Sequence, residues 1–300
     1  MLTICIIHML PSGSKRTIQG TLGNIKKMKI LINIIILGLI SSYSATKTPV
    51  ILKESTFKSI TQASYSAKRS GELTREQAFN QSLDLKNFYN EKGELIEYWK
   101  YEIDGSIFQK VDLEKNQQGK LIKSTSYDKE GNLKSYTNTE FDSNGNIVKY
   151  KIYNSNKELT SIQDNEYDSN GNILSVTRTN VTSNRTFKTK SKYNLKNQLI
   201  EETDFKPNGS IKDVRTFKYD DKGNEIESDL TKANGNYTKF ISEYDKNNNI
   251  ISQYWYNKDG SQKHWTSFSY EYDENNNWIT KKRYSNGELG FVWERKIEYN

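Results

Sequence analysis

Enzymatic chemistry needs particular side chains in particular company, and this sequence lacks most of them. His8 and His264 are its only histidines and Cys5 its only cysteine. Zinc sites and Cys-His or Ser-His-Asp nucleophiles need several such groups at once. His264, in QKHWTSF, reads instead as a strand residue. Asp142, Asn144 and Asn146 in DSNGN, and Asp245, Asn247 and Asn249 in DKNNN, alternate like calcium ligands. An EF-hand loop, however, carries Gly at its sixth position and Glu at its twelfth, whereas Gly145 stands fourth. A tight turn explains every residue of these segments. Carboxylates are spread along the chain with no pair set apart as in a glycosidase. No glycine-rich loop opens a helix that would hold phosphate. The expectation is a protein that is not an enzyme and has no metal or cofactor.

The aromatic residues are less even. Trp255, Trp265, Trp278 and Trp293 fall in the last 46 residues, with Tyr254, Tyr256 and Tyr272 among them and Phe268 and Tyr270 alongside, while Trp99 is the one earlier tryptophan. Exposed rings on a sheet offer stacking faces for sugars and large contact surfaces for proteins. These seven Trp and Tyr residues are the candidate ligand-binding set, for a cell-envelope glycan or surface protein. The competing explanation is structural: a terminal sheet edge needs cover against strand addition by another chain.

What must position them is a repeat. Gly93, Gly105, Gly119, Gly131, Gly145, Gly171, Gly209, Gly223, Gly235, Gly260 and Gly287 share one frame, so eleven of seventeen glycines occupy one place in one motif. Asn197, Asn248 and Asn276 stand at the same place, with Lys157 and Arg185 as exceptions. An Asp, Asn or Ser at the start and a left-handed residue at the end make a type I turn with a bulge, which joins adjacent antiparallel strands. Spacings of 12 and then 14 residues give a unit near 26 with two turns. That leaves about seven residues per strand. The predicted fold is all-β: an antiparallel meander of about sixteen tandem hairpin turns, forming a curled single-layer sheet or open β-shell. Both strand faces are polar at mid-strand, as in Leu133–Phe141 (LKSYTNTEF), which excludes a thick sandwich core.

YDKEGNL (Tyr127 to Leu133), FDSNGNI (Phe141 to Ile147), YDSNGNI (Tyr167 to Ile173) and YDDKGNEI (Tyr219 to Ile226) resemble YD repeats, the units of bacterial Rhs and wall-associated proteins. The similarity runs from about Phe88 to Asn300. It implies strands wound into a shell, an extracellular or secreted location and, in large members, enclosure of a toxic C-terminal domain. The repeats here run to Asn300, and the only prolines are Pro11, Pro49 and Pro207, so an Asp-Pro autoproteolysis motif is lacking. YSNGELGFVWERKIEY at the end is similar, more weakly, to MORN-type hairpins.

The first 44 residues read as a leader. Lys26, Lys27 and Lys29 precede the apolar run Ile30 to Ile40, followed by small residues at Ser42 and Ser44, the pattern of a secretory signal peptide with Met28 as a second candidate start. The run is too short to span a bilayer. The chain is therefore expected to be exported, to the periplasm, the cell surface or beyond. Cleavage after Ser44 removes five basic and no acidic residues, leaving 39 against 37, a net of +2 rather than +7. So small an imbalance speaks against nucleic acid as a partner. Residues 45–87 are expected to be a linker or a cap, in which Thr74 and Gln77 have capping-box spacing; the repeat domain would follow from 88 to 300. A runner-up function is an orphan or accessory Rhs-like shell linked to toxin delivery.

Overall fold

The structure, a computed structural model, describes residues 57–300 apart from residue 103 and the side chains of residues 68–70. The leader and cleavage site lie outside the described residues. The chain opens with β1 (Phe57–Ser66), two short helices, α1 (Ala67–Glu72) and α2 (Arg75–Asn80), and β2 (Leu83–Tyr89). There follow β3 (Leu95–Tyr101), β4 (Ile107–Lys115), β5 (Leu121–Tyr127), β6 (Leu133–Phe141), β7 (Ile147–Asn154), β8 (Leu159–Tyr167), β9 (Ile173–Asn180) and β10 (Arg185–Tyr193). The second half is β11 (Leu199–Phe205), β12 (Ile211–Tyr219), β13 (Glu225–Lys232), β14 (Tyr237–Tyr244), β15 (Ile250–Tyr256), β16 (Gln262–Tyr272), β17 (Trp278–Ser285) and β18 (Glu288–Tyr299).

The meander expectation describes the chain path, but the open sheet or shell is wrong. β1 pairs antiparallel with β18 on one side, Ile60 opposite Ile297, and with β2 on the other, Ile60 opposite Asn87. Every strand thus has two partners and the eighteen strands close into a barrel. An uncovered first and last strand would each leave a row of unpaired amides and carbonyls, and closure removes both rows at once. At ~4.8 Å per strand the circumference is ~86 Å, which gives a radius of ~14 Å before strand tilt widens it. Apart from the helices, extensive contacts join only strands that are neighbours in the ring, so the wall is one layer thick.

The turns match their residues. Gly93 has φ 74° and its amide donates to the Asn90 carbonyl (2.9 Å), while the Asn90 side chain accepts from the amides of Lys92 and Glu94. Asn197, Asn248 and Asn276 also have positive φ, and so does Lys157, at 64°, despite its Cβ. At the remaining exception the left-handed residue is Asn184 rather than Arg185. Asn286 and Gly287 are both left-handed, as a two-residue type I′ hairpin requires.

Burial distinguishes the two faces of the wall. Val111, Tyr150, Val176 and Leu230 are buried on one face together with the hydroxyls Ser124, Ser126, Thr137 and Thr266. Cross-strand pairs such as Val111 with Ser126 and Ser124 with Thr137 keep these residues on the same side. That is the concave side, where side chains converge. The convex side carries ion pairs: Lys149–Asp164 (3.0 Å), Lys192–Glu201 (2.8 Å), Lys218–Glu227 (2.8 Å) and Lys282–Glu271 (3.2 Å).

One stretch of the outer face is covered. Thr74 caps α2, its hydroxyl accepting from the Gln77 amide while the Gln77 side chain accepts from the Thr74 amide. The helix lays Ala78 and Phe79 near the seam, where Tyr65, Ala78 and Val292 form a buried cluster with Leu73 and Leu289 packed on it. Glu294, 5% exposed, accepts a 2.6 Å bond from the Tyr65 hydroxyl and an ion-paired bond from Arg75, whose other arm donates to Thr280 (2.5 Å). Burial and the Glu294 carboxylate hold the Tyr65 phenol well above its usual range. The helices therefore clasp β1 to β16–β18 at the point of closure.

Candidate functional site

The candidate Trp and Tyr residues do not share one surface. Trp255 lies on the inner face, directly between Phe240 of β14 and His264 of β16. Ring centroids are 5.9 Å apart for Phe240–Trp255 and 5.1 Å for Trp255–His264. Trp293 also faces inward, opposite Lys281, which is opposite Tyr270. Trp265, Tyr254 and Tyr256 point outward. Tyr254 is opposite Trp265, and Tyr256 lines a shallow cleft of about 260 Å³ with Tyr237, Lys239 and Ile241. Trp278 is buried beneath Arg295, whose guanidinium carbon lies 3.4 Å from the ring centroid. Tyr272 is occupied at the rim, accepting from the Asn249 side chain at 2.7 Å and donating to Asp245 at 3.3 Å.

The sequence reading missed the cations between the inner rings. Lys281 Nζ sits 4.6 Å from the Phe268 centroid and 5.5 Å from those of Tyr270 and Trp293. Arg283 lies 5.7 Å from Phe291 and 5.8 Å from Trp293. The signal was there: counting alternate residues from Trp255 and Trp293 through the turns brings Phe240, Lys281, Arg283 and Phe291 to the same face. Among the described residues, the buried Thr266 Oγ1 and Arg283 Nε, both on this wall, have no hydrogen-bond partner. Arg295 donates to Gln62 (3.2 Å), and burial brings it down to about 10, the Tyr89 phenol being the group that favours its charge.

The inner wall over β14–β18 is thus a half-buried sheet of rings with guanidinium and ammonium groups between them. Such a surface stacks against flat or apolar faces and donates hydrogen bonds edge-on. The convex wall differs. An ion pair, Lys149–Asp164, lies within the strands, where a lipid-facing barrel carries an apolar band with aromatic girdles. Among the described residues, no helix is long and apolar enough to cross a membrane and no group of His, Cys, Asp and Glu is placed to hold a metal ion.

No family model and no curated protein matches the chain. Solved structures similar to it include the Photorhabdus luminescens Tc holotoxin pore with mutation TccC3-D651A, at 12% identity over 70% of this chain and a TM-score of 0.34. The chain spans 13% of that toxin chain. A porin-like protein from Bacteroides uniformis is similar at 10% identity, with 81% of this chain and 98% of that one covered and a TM-score of 0.42. One from Bacteroides vulgatus has 11% identity, the same coverage and a TM-score of 0.31. None of these likenesses bears on function.

Proposed function

We propose that this protein is an exported, non-enzymatic barrel of the YD-repeat type that binds a cell-envelope glycan along the inner face of β14–β18. One observation carries the reading: Phe240, Trp255, His264, Phe268, Tyr270, Phe291 and Trp293 form one luminal surface over five consecutive strands. The structural explanation of these rings, cover for a terminal edge, fails because β18 has a partner on each side. Sugar rings present apolar faces and hydroxyl edges, and the wall offers aromatic faces and cationic donors in alternation. Replacing Trp255 and Trp293 by Ala should weaken glycan binding by about tenfold or more. Trp265→Ala, on the outer face, should leave it unchanged. Equal losses from inner and outer replacements, with folding intact by circular dichroism, would remove the luminal site.

A second reading, a shell that encloses a peptide linked to toxin delivery, is favoured by the closed, single-layer wall. It predicts a peptide ligand, retained when both inner tryptophans are replaced.

A further inference from the structure

The nine even-numbered strands finish at one end of the barrel, and eight of them finish on an aromatic residue, Lys115 of β4 being the exception. Alternation along the strands puts these residues inside. Tyr193 lies four residues beyond Thr189, the partner of the concave Val176, and Tyr219 lies four beyond Arg215, the partner of the concave Leu230. Tyr272 is two beyond the inward Tyr270. Phe57 of β1 joins them at the seam, its ring centroid 5.7 Å from that of Tyr89 and 5.6 Å from that of Tyr299. This mouth is collared with rings. At the other end the aromatic residue before the turn lies outside: Tyr127 is opposite Lys110, the neighbour of inward Val111, and Tyr153 is opposite Tyr136, the neighbour of inward Thr137.

The collar hydroxyls are turned to the wall. Tyr193 and Tyr219 donate to the carbonyls of Ile173 (3.0 Å) and Leu199 (2.8 Å), while Tyr299 donates to Asp273 (2.5 Å) and accepts from Asn277 (2.8 Å). Side chains tied in this way lie along the wall and present ring faces rather than hydroxyls to the lumen. All eight are half-buried. The rings continue inward along β16. Tyr270 is stacked 6.2 Å from Tyr272, Phe268 follows two residues on, and past Thr266 comes His264, 5.1 Å from Trp255. Tyr272 and His264 are eight residues apart on one strand, ~26 Å of wall running from the mouth to Trp255.

Resting on the luminal-binding reading, we infer that the ligand is a linear glycan that enters past the tyrosine collar and lies lengthwise along β16. A strip of rings one strand wide gives contacts in proportion to chain length, and a branch would meet the curved wall on either side. A short sugar would fill only the surroundings of Trp255 and leave the collar untouched. An extended peptide has the length but lacks a flat apolar face at every unit.

The test uses the full chain and calorimetry with chitohexaose, cellohexaose and maltohexaose, each beside its own disaccharide, and an unstructured poly-Gly-Ser peptide of similar length. In the series that binds, the hexaose should be about tenfold or more tighter than the disaccharide. This comparison of lengths needs no variant. Tyr272→Leu combined with Tyr299→Leu should weaken the hexaose by about fivefold or more and leave the disaccharide as it was. Tyr272→Phe with Tyr299→Phe keeps the rings and loses the hydroxyl bonds, and should restore hexaose binding, which a purely structural stitch would not do. Tyr127→Leu, on the outer face at the other end, should change neither sugar. Thermal unfolding of each variant shows whether the barrel is intact. A disaccharide as tight as its hexaose, or a hexaose indifferent to the folded leucine pair, would overturn the lengthwise ligand; if binding is still lost on replacing Trp255 and Trp293, the luminal glycan site stands. Peptide binding as tight as the best hexaose would overturn the glycan class. Binding of none of the probes would overturn the inference and the luminal reading together.

Discussion

The Tyr193 hydroxyl, at the end of β10, donates a 3.0 Å hydrogen bond to the carbonyl of Ile173, twenty residues earlier at the start of the neighbouring strand β9. The same bond joins Tyr167 to Ile147 (2.8 Å), Tyr219 to Leu199 (2.8 Å), Tyr244 to Glu225 (2.7 Å) and Tyr270 to Ile250 (2.9 Å). Asn172 and Asn224 add links to Asn197 and Asn248 of the next turns. All these groups lie at one end of the barrel, where the turns follow even-numbered strands. The 26-residue unit is therefore a pair of strands with one stitched end and one free end. Tyr193→Phe should cost about 1 kcal/mol in urea unfolding, the usual worth of one such bond. Tyr153→Phe, at the opposite end, should cost nothing measurable, because among the described residues its hydroxyl makes no corresponding bond.

Lys157 occupies a left-handed position that glycine fills in most other turns. An L side chain there costs roughly 1 kcal/mol, so Lys157→Gly should raise stability by about 0.5–1 kcal/mol. Gly145→Ala should do the reverse. Its φ is 83°, and a Cβ there would lie 1.7 Å from Lys120 Nζ, displacing that flexible side chain as well as straining the turn. Paired denaturation curves would check both signs.

The clasp predicts local opening. Arg75→Ala would leave the Glu294 carboxylate buried with only the Tyr65 hydroxyl beside it. Since the Arg75 side chain is 60% exposed, the loss should be about 1–3 kcal/mol rather than the larger cost of breaking a fully buried pair. Hydrogen exchange should accelerate in β1 and β18 before it does in β6 or β12. Uniform acceleration around the ring would mean that the helices do not guard the seam.

Asp84 gives a pH dependence. Burial pushes its carboxyl up to about 6, against hydrogen bonds from Ser64 and Gln62 that pull it down. The folded protein then holds this proton more tightly than the unfolded chain, so stability is greatest below about 4 and falls as pH rises through 6. Asp84→Asn should therefore stabilise the barrel at pH 8 by about 1–3 kcal/mol and change little at pH 4. Urea midpoints at the two pH values decide it.

Much of this architecture could be read from residue types. Gly, Asn and Asp mark almost every turn because left-handed backbone and side-chain-to-amide bonds select them, and Thr74 with Gln77 marks the start of α2. Closure could not be read, because β1 (FKSITQASYS) carries no turn motif and its partner β18 is more than two hundred residues away in sequence. The inner face was equally obscure. Half of what it buries is Ser, Thr and Asn, such as Ser124, Thr137 and Asn165, so alternation of hydrophobic residues does not reveal which side faces in. Trp255 and Trp265 looked like one cluster until the register placed them on opposite faces.

Barrel closure requires β1 to lie between β18 and β2. Thr61 is opposite Lys296 and also opposite Lys86. With Cys5 replaced by Ser, Thr61→Cys combined with Lys296→Cys, and separately with Lys86→Cys, can be treated with a short bifunctional thiol cross-linker at low protein concentration. A closed barrel predicts efficient intramolecular cross-linking of both pairs. Cross-linking of the 61–86 pair alone, with the 61–296 pair unreacted or joined only between molecules, would contradict closure.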